Sequence, residues 1–132
     1  MEEIVKVCFF GLGSIGVRHL KNLVALCEQE NLPLEIDAFR SGAGDSQSKQ
    51  KTNNMPIHFC FEKRELQEDY DVIFITNPTA LHGKTLEEHG WRGKAFFIEK
   101  PVFMHPEEWD RLDQTFFREK ILQKKARVLR FF

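Results

Sequence analysis

A short apolar run followed by a glycine-rich turn at the start of the chain restricts its fold more than any other feature. Residues 4–10 (IVKVCFF) are almost continuously apolar, which is typical of a strand buried on both faces of a parallel sheet. Residues 11–16 (GLGSIG) then fit the pattern G-x-G-x-x-G and open a stretch with apolar residues at helical spacing. A strand, this turn and a helix in that order predict the first βα unit of a dinucleotide-binding fold.

Each position of this turn has a predicted role. Gly11 permits the tight turn, Gly13 lets a diphosphate approach the backbone, and Gly16 lets the helix pack closely on the strand. The backbone N–H groups at the start of the helix, around Ser14 and Ile15, are expected to face the phosphates. The alternative is an ordinary glycine-rich connection between a strand and a helix.

The rest of the chain alternates between strand-like and helix-like segments. Strands are predicted at residues 34–39, 57–61, 71–76, 95–98 and 127–132. Helices are predicted at residues 14–29, at 79–89 with Thr79 as the cap, and from Pro106 onward, with one or two helical turns at 62–68. Residues 41–54 read as a polar, mobile loop. Alternation of this kind predicts an α/β fold with a doubly wound parallel sheet, the Rossmann fold, as a single domain over residues 1–132.

The charge balance gives no reason to expect a polyanionic partner. The 132 residues include 19 lysines and arginines and 20 aspartates and glutamates, a formal net charge of −1. We therefore expect binding neither to nucleic acid nor to an anionic membrane. No apolar run approaches the roughly 20 residues that span a bilayer, and the first residues lack the pattern of a signal peptide.

The three cysteines, Cys8, Cys27 and Cys60, do not form a disulfide pattern. An odd number of widely separated cysteines favours reduced thiols and a cytoplasmic location. No two of them have the spacing of metal ligands, so no metal site is predicted.

The end of the second predicted strand bears on the choice between NAD and NADP. An NAD-preferring site commonly has an acid at this strand end, but here Arg40 and Ser41 follow the strand and Asp37 lies three residues too early. A guanidinium group binds phosphate through two hydrogen bonds, so Arg40 with Ser41 favours NADP slightly over NAD. In the alternative interpretation, Arg40 is a solvated surface arginine that stacks on the adenine.

Two further polar clusters follow the fourth and fifth predicted strands. The fourth strand leads into Thr76, Asn77, Pro78, Thr79 and His82, and the fifth is followed by Glu99, Lys100 and Pro101. Ligands of doubly wound sheets bind beyond the carboxyl ends of the strands, where the strand order reverses. We therefore expect both clusters to converge with the glycine turn on one crevice.

Together these motifs resemble the signatures of the Gfo/Idh/MocA oxidoreductases. The resemblance rests on residues 11–19 (GLGSIGVRH), 75–82 (ITNPTALH) and 99–101 (EKP), and it extends from about residue 4 to about residue 104. The sequences of these motifs are most similar to those of family members in bacterial surface-sugar and nonulosonic-acid pathways. The resemblance implies an NAD(P)-dependent oxidoreductase that transfers a hydride to or from a sugar, a sugar derivative or a polyol.

The resemblance also implies roles for single residues. Asn77, Pro78, Thr79 and His82 would line the ribose and nicotinamide side of the cofactor, and Glu99 would contact the nicotinamide ribose. Lys100 would assist proton transfer from the substrate hydroxyl, because oxidation of an alcohol needs a group that receives this proton. Without the resemblance, Lys100 reads as a surface lysine before a proline. His19 is predicted to be a surface or helix-packing residue.

Family members continue for about another 200 residues, so their full length exceeds the usual size of a single domain. That second domain resembles an open sheet, which carries an aspartate and a histidine that act with the lysine. The expectation is therefore a cofactor-binding half without its substrate domain, whose own activity is uncertain. The alternative is a nucleotide-binding module that catalyses no turnover by itself. It would be either a truncated form or a subunit that another chain completes. Homo-oligomers are left open, and a regulatory NAD sensor or a methyltransferase is disfavoured by residues 99–101.

Overall fold

Short, mostly apolar segments form the strands of one parallel sheet. The computed structural model describes residues 4–40, 55–112 and 127–131, and within them it contains six strands. These strands are β1 (Val5–Phe10), β2 (Leu34–Phe39), β3 (Ile57–Cys60), β4 (Tyr70–Ile75), β5 (Gly93–Ile98) and β6 (Arg127–Phe131).

The helices lie between the strands, as the alternation predicts. They are α1 (Ser14–Gln29), α2 (His82–His89) and α3 (Glu107–Leu112), together with 3-10 turns at Lys63–Glu65, Thr79–Leu81 and Gly90–Arg92. Asn31 ends the first helical region in the left-handed conformation, with a φ of 56°. None of the helices in the described segments has the length and apolar content needed to cross a bilayer.

The strand order is β3-β2-β1-β4-β5-β6, and all neighbouring strands pair in parallel. The order reverses between β1 and β4, so the carboxyl ends of these two strands flank the place where such sheets bind ligands. Phe10, the last residue of β1, pairs with Phe39 on one side and Ile75 on the other, which brings these strand ends to one level. The predicted doubly wound Rossmann sheet is confirmed.

The core forms two apolar layers, one on each face of the sheet. Alternation along β1 divides its side chains, since Val7 and Phe9 face one layer while Cys8 and Phe10 face the other. The first layer includes Val17 and Leu20 of α1. The second layer includes Leu86 of α2 and Leu112 of α3. A sheet covered on both faces explains the near-continuous apolar strands of the sequence.

The predicted cap of the second helix is wrong. Thr79 begins a 3-10 turn rather than the α-helix, because the N–H of Leu81 donates to the Pro78 carbonyl at 2.8 Å. Helix α2 consequently begins at His82 and has no side-chain cap. The predicted polar loop at 41–54, including Ser41, and residues 113–126 of the predicted last helix lie outside the described residues.

Candidate functional site

The first glycine of the turn is required by both conformation and space. Gly11 has a φ of +102°, a value that residues with a side chain rarely adopt. A Cβ atom at this position would lie 2.6 Å from the backbone N and Cα of Asn77. The turn after β1 therefore contacts the backbone that leaves β4.

The third glycine and Thr76 fix the same contact from the other side. A Cβ atom on Gly16 would lie 2.6 Å from the Gly11 carbonyl oxygen and 2.8 Å from the Thr76 Oγ1. The Thr76 hydroxyl donates a hydrogen bond of 2.7 Å to that carbonyl. The predicted site residue Thr76 thus holds the glycine turn against the end of β4.

Gly13 has no such packing role. A Cβ atom built on it would meet nothing within 4 Å. Gly13 is the N-cap residue of α1, which has no side-chain cap and no acidic residue in its first turn, and Ser14 and Ile15 are exposed. Free N–H groups at an uncapped helix start attract an anion, so the arrangement fits a phosphate group.

The loop after β4 orients the amide of Asn77. The Thr85 hydroxyl donates to the Leu81 carbonyl at 2.8 Å, and it accepts a hydrogen bond of 3.0 Å from Asn77 Nδ2. The Asn77 Oδ1 is buried and has no partner in the described part of the chain. An oriented, unpartnered acceptor is costly unless a ligand supplies a donor.

His82 holds two loops of the site together. Its Nε2 lies 2.9 Å from the Asn77 carbonyl oxygen and its Nδ1 lies 2.7 Å from the Val102 carbonyl oxygen. The side chain is fully buried. Each ring nitrogen thus lies within hydrogen-bond distance of a carbonyl oxygen from a different loop. A contribution of His82 to ligand binding would therefore act through the loops that it joins.

The chain after β5 places a carboxylate beside α1. The Glu99 N–H donates to the Ile75 carbonyl at 3.0 Å, and its Oε2 lies 3.1 Å from His19 Nε2. Lys100, which follows, is exposed and precedes Pro101 through a cis peptide bond. His19 was predicted to be a surface or helix-packing residue, yet it links α1 to a residue of the predicted site.

A cavity of about 390 Å³ opens at the carboxyl ends of β1 and β2 beside α2. Its apolar wall is formed by Phe10, Leu12, Phe39, Pro78 and Leu81. Its polar lining consists of Gly11, Arg40, Lys63, Asn77, Lys84, Thr85, Glu88 and His89. The predicted residues Gly11, Arg40, Asn77 and Pro78 therefore share one pocket. An apolar pocket with a few polar groups is the usual form of a small-molecule site.

Several charged side chains line this cavity and pair with one another. Lys63 Nζ lies 2.9 Å from Glu88 Oε2, and Lys84 Nζ lies 3.9 Å from Glu88 Oε1. The hydrogen bond from Lys63 lowers the pKa of Glu88. Burial, followed by the charge of Arg92, lowers the pKa of His89 to about 4. His89 is therefore neutral at pH 7, and its Nδ1 accepts a hydrogen bond of 3.2 Å from Arg92 Nε.

Sequence reasoning missed several residues of this site. Lys63, Lys84, Thr85, Glu88 and His89 line the cavity, but none belongs to a predicted motif. Thr85 lies about one helical turn after His82, so both lie on the same side of the helix, and this spacing is the sequence signal that could have identified Thr85. Lys84, Glu88 and His89 lie on α2 as well, and Lys63 lies in the turn at Lys63–Glu65, so their position at the cavity depends on how α2 and this turn pack on the sheet.

Comparison with known proteins agrees with this geometry. A family model described as an oxidoreductase family with an NAD-binding Rossmann fold matches residues 5–124. The chain is 31% identical over 111 residues to scyllo-inositol 2-dehydrogenase (NAD(+)) of Bacillus subtilis (strain 168), a match covering 82% of this chain and 31% of the relative. It is 29% identical over 118 residues to a glycosyl hydrolase family 109 protein of Shewanella amazonensis, covering 83% and 26%.

A solved structure gives the same result for the fold. Scyllo-inositol dehydrogenase from Lactobacillus casei, with bound cofactor NAD(H) and scyllo-inositol, aligns with a TM-score of 0.68 at 22% identity. This match covers 98% of the present chain and 36% of that structure. The chain thus spans about a third of the length of the relatives it matches.

Proposed function

The chain belongs to the Gfo/Idh/MocA family of oxidoreductases, and from this premise we propose that it holds the cofactor of a nicotinamide-dependent dehydrogenase. The substrate would be a sugar, a sugar derivative or a polyol, the classes on which the named relatives act. The observation that carries the proposal is the junction of the glycine turn with the loop after β4, where Gly11 contacts the Asn77 backbone.

The diphosphate would bind at the start of α1. Gly13 leaves the backbone accessible, and the first N–H groups of the helix, around Ser14, Ile15 and Gly16, have no side-chain cap. Gly11 and Gly16 keep the turn close to β4, while Thr76 holds it there. These residues therefore suit an anionic group bound mainly by backbone amides.

The adenosine half would occupy the cavity beside Arg40. Its apolar wall suits a flat base, and the buried Asn77 Oδ1 would accept a hydrogen bond from a ribose hydroxyl. Asn77 and Pro78 would then lie on the adenosine side rather than on the ribose and nicotinamide side that the resemblance implies. Pro78 contributes to the wall, and Thr79 begins the turn that carries the loop into α2. Because His82 holds this loop to the Val102 carbonyl, we assign it a positioning role.

We further propose a preference for NADP over NAD. The two residues directly after β2 are Arg40 and Ser41 rather than an acid, and Asp37 is buried within the sheet and does not line the cavity. Arg40 and Lys63 line the cavity, and Ser41 follows Arg40 in the sequence. Arg40 near the ribose would favour a 2′-phosphate, whereas the charge of Lys63 is already paired with Glu88.

The preference is tested at Arg40. In Arg40→Ala, we expect the Kd for NADPH to rise at least tenfold and the Kd for NADH to change less than threefold. Arg64→Ala, which alters a largely exposed arginine next in sequence to Lys63, is the control. Equal losses for both cofactors would assign Arg40 to the adenosine rather than to the 2′-phosphate.

The reacting end would lie over Glu99 and Lys100. The bound nicotinamide supplies hydride chemistry, accepting or donating the hydride of the substrate carbon. Lys100, exposed after β5, would receive the proton of the substrate hydroxyl, and Glu99 would contact the nicotinamide ribose. His19, 3.1 Å from Glu99, would keep this carboxylate in place.

Cofactor titration followed by a turnover assay tests the proposal. NADH and NADPH are titrated by their fluorescence, and hydride transfer is then measured with a panel of sugars and inositols. Binding of at least one cofactor is expected. Turnover that is lost in Lys100→Ala while binding persists would assign the lysine to catalysis. Failure of both cofactors to bind would overturn the proposed function.

A nucleotide-binding module without turnover is the second candidate. It is supported by the family match, which is to an NAD-binding Rossmann fold, while the chain spans about a third of its relatives' length. Binding without turnover supports this candidate. Because one relative is a glycosyl hydrolase family protein, the substrate panel should include aryl glycosides, whose cleavage would replace the dehydrogenase assignment.

We propose a cytoplasmic location and leave self-association to experiment. Cys8, Cys27 and Cys60 are all free thiols, the state that a reducing compartment maintains. Cell fractionation tests the location. Light scattering of the purified chain, with and without cofactor, tests for homo-oligomers.

A further inference from the structure

A cysteine, a histidine and an aspartate meet at one edge of the sheet, away from the lining of the cofactor cavity. Asp37 of β2 is paired in register with His58 of the edge strand β3, and Cys60 lies two residues further along β3. Side chains two residues apart in a strand point to the same face. The register therefore brings these three side chains together.

Two of the three distances between the donor atoms match those around a tetrahedral metal ion. His58 Nδ1 lies 3.3 Å from Asp37 Oδ1 and 3.5 Å from Cys60 Sγ, and the three atoms all lie within 4.8 Å of one another. Zinc bonds its oxygen, nitrogen and sulfur ligands at 2.0–2.3 Å, which puts neighbouring tetrahedral ligands about 3.4–3.6 Å apart. Two edges of such a tetrahedron are already formed.

Surrounding residues leave the required carboxylate oxygen available. Tyr70 donates a hydrogen bond of 2.6 Å to Asp37 Oδ2, and Gln67 Nε2 donates to the same oxygen at 3.1 Å. Oδ1 is thereby directed toward His58. Partners that orient a ligating carboxylate in this way are typical of metal sites.

The three side chains differ in burial in a way that suits a site with three protein ligands. Asp37 and Cys60 are buried, whereas the side chain of His58 is 64% exposed. The metal would have solvent on the His58 side, which leaves the fourth position to water. Sulfur with imidazole nitrogen and carboxylate oxygen favours zinc over magnesium or calcium, which prefer oxygen ligands alone.

We propose that Asp37, His58 and Cys60 bind one zinc ion, with water as the fourth ligand. The site reverses the expectation of no metal, which considered only spacings between cysteines. Its ligands come from two strands, and no spacing within one segment reveals them. The ion would join the edge strand β3 to β2 where the Arg40 N–H donates to the Cys60 carbonyl at 2.9 Å.

Cobalt and zinc titrations of the full chain test this site. Co²⁺ is expected to bind one per chain, with the visible bands of tetrahedral cobalt and a sulfur-to-cobalt charge-transfer band, and Zn²⁺ should displace it. His58→Ala should weaken Zn²⁺ binding at least 100-fold, and Cys60→Ser should abolish the charge-transfer band. Cys27→Ser and His105→Ala are the controls and should leave both unchanged.

Two results would overturn the proposal. One is the absence of a charge-transfer band in the unaltered chain under reducing conditions. The other is a band that persists in His58→Ala and Cys60→Ser alike, because the cobalt would then be bound elsewhere. If Cys60→Ser does not fold, His58→Ala decides the test. The His58 side chain is largely exposed, so its removal should leave the fold intact. NADH affinity is measured in parallel, which separates this result from the proposed function.

Discussion

Gly11 and Gly13 lack side chains for different physical reasons, and substitution separates these reasons. At Gly11 the backbone is left-handed and a Cβ atom would collide with the Asn77 backbone, so Gly11→Val should destabilise the fold by more than about 3 kcal/mol. At Gly13 the space is open, so Gly13→Val should cost about 1 kcal/mol through the weaker N-cap. Urea unfolding of both variants measures the contrast.

The same pair separates folding from binding. Gly13→Val should fold and yet bind NADH at least tenfold more weakly, because its side chain occupies the approach to the helix start. The tenfold loss corresponds to about 1.4 kcal/mol of binding free energy. Unchanged affinity in a folded Gly13→Val chain would contradict the placement of the diphosphate.

His89 makes a pH-dependent contribution to stability. Its pKa in the folded chain is about 4, against about 6.5 when unfolded. Between these values the unfolded chain binds a proton that the folded chain excludes. Stability should therefore be lost as the pH falls from about 6.5 to 4, by at most about 1.4 kcal/mol per pH unit.

His89→Gln should reduce this slope, because glutamine does not titrate and its amide oxygen can replace the acceptor for Arg92. The measurement is urea unfolding between pH 4 and 8, comparing His89→Gln with the original chain. His105→Gln, at an exposed position, controls for general acid effects. A slope that His89→Gln leaves intact would assign the pH dependence to other groups.

At the scale of single elements, α1 offers a test of which face supports the sheet. Leu20 is fully buried in the layer formed with β1 and β2, whereas Leu26 on the same helix is 54% exposed. Leu20→Ala should reduce the free energy of unfolding by about 2–5 kcal/mol, and Leu26→Ala by less than about 0.5 kcal/mol. Chemical denaturation of both variants checks this. Equal losses would mean that the face of α1 with Leu20 is not the one packed against the sheet.

The helices and strands themselves could be predicted from the sequence. The bounds of α1 and β2 agree with the prediction, because a helical apolar period and a short alternating run each identify one kind of element. The predicted cap at Thr79 failed because the choice between an α-helix and a 3-10 turn depends on one hydrogen bond, from Leu81 to Pro78. A local pattern does not determine that bond.

Contacts between elements were less accessible. The sequence predicted that the glycine turn and the motifs after β4 and β5 lie on one side of the sheet, because the carboxyl ends of parallel strands all point to that side. It did not pair His19 with Glu99, 80 residues away, or Asp37 with Tyr70. These pairs depend on register and on the packing of helices against the sheet, which no segment contains by itself.

At the scale of the whole molecule, the proposed cofactor site is formed by the ends of several strands rather than by one loop. As proposed, the cofactor would contact the carboxyl ends of β1, β2, β4 and β5, the central strands of the sheet. A ligand bound there contacts no single loop that could open alone, so binding should oppose unfolding of the entire sheet. Such linkage has a defined size: ligand at 100 times its Kd stabilises the folded state by about 2.7 kcal/mol.

We therefore expect NADH or NADPH, at 100 times the Kd of the original chain, to raise its free energy of unfolding by about this amount. Gly13→Val at the same cofactor concentration should gain at least about 1 kcal/mol less, because its affinity is at least tenfold lower. Urea unfolding with and without cofactor gives both values, and hydrogen exchange should show added protection along β1 and β4 together. Protection confined to α1, or equal gains in both chains, would mean that the cofactor binds outside the junction of the glycine turn with the loop after β4.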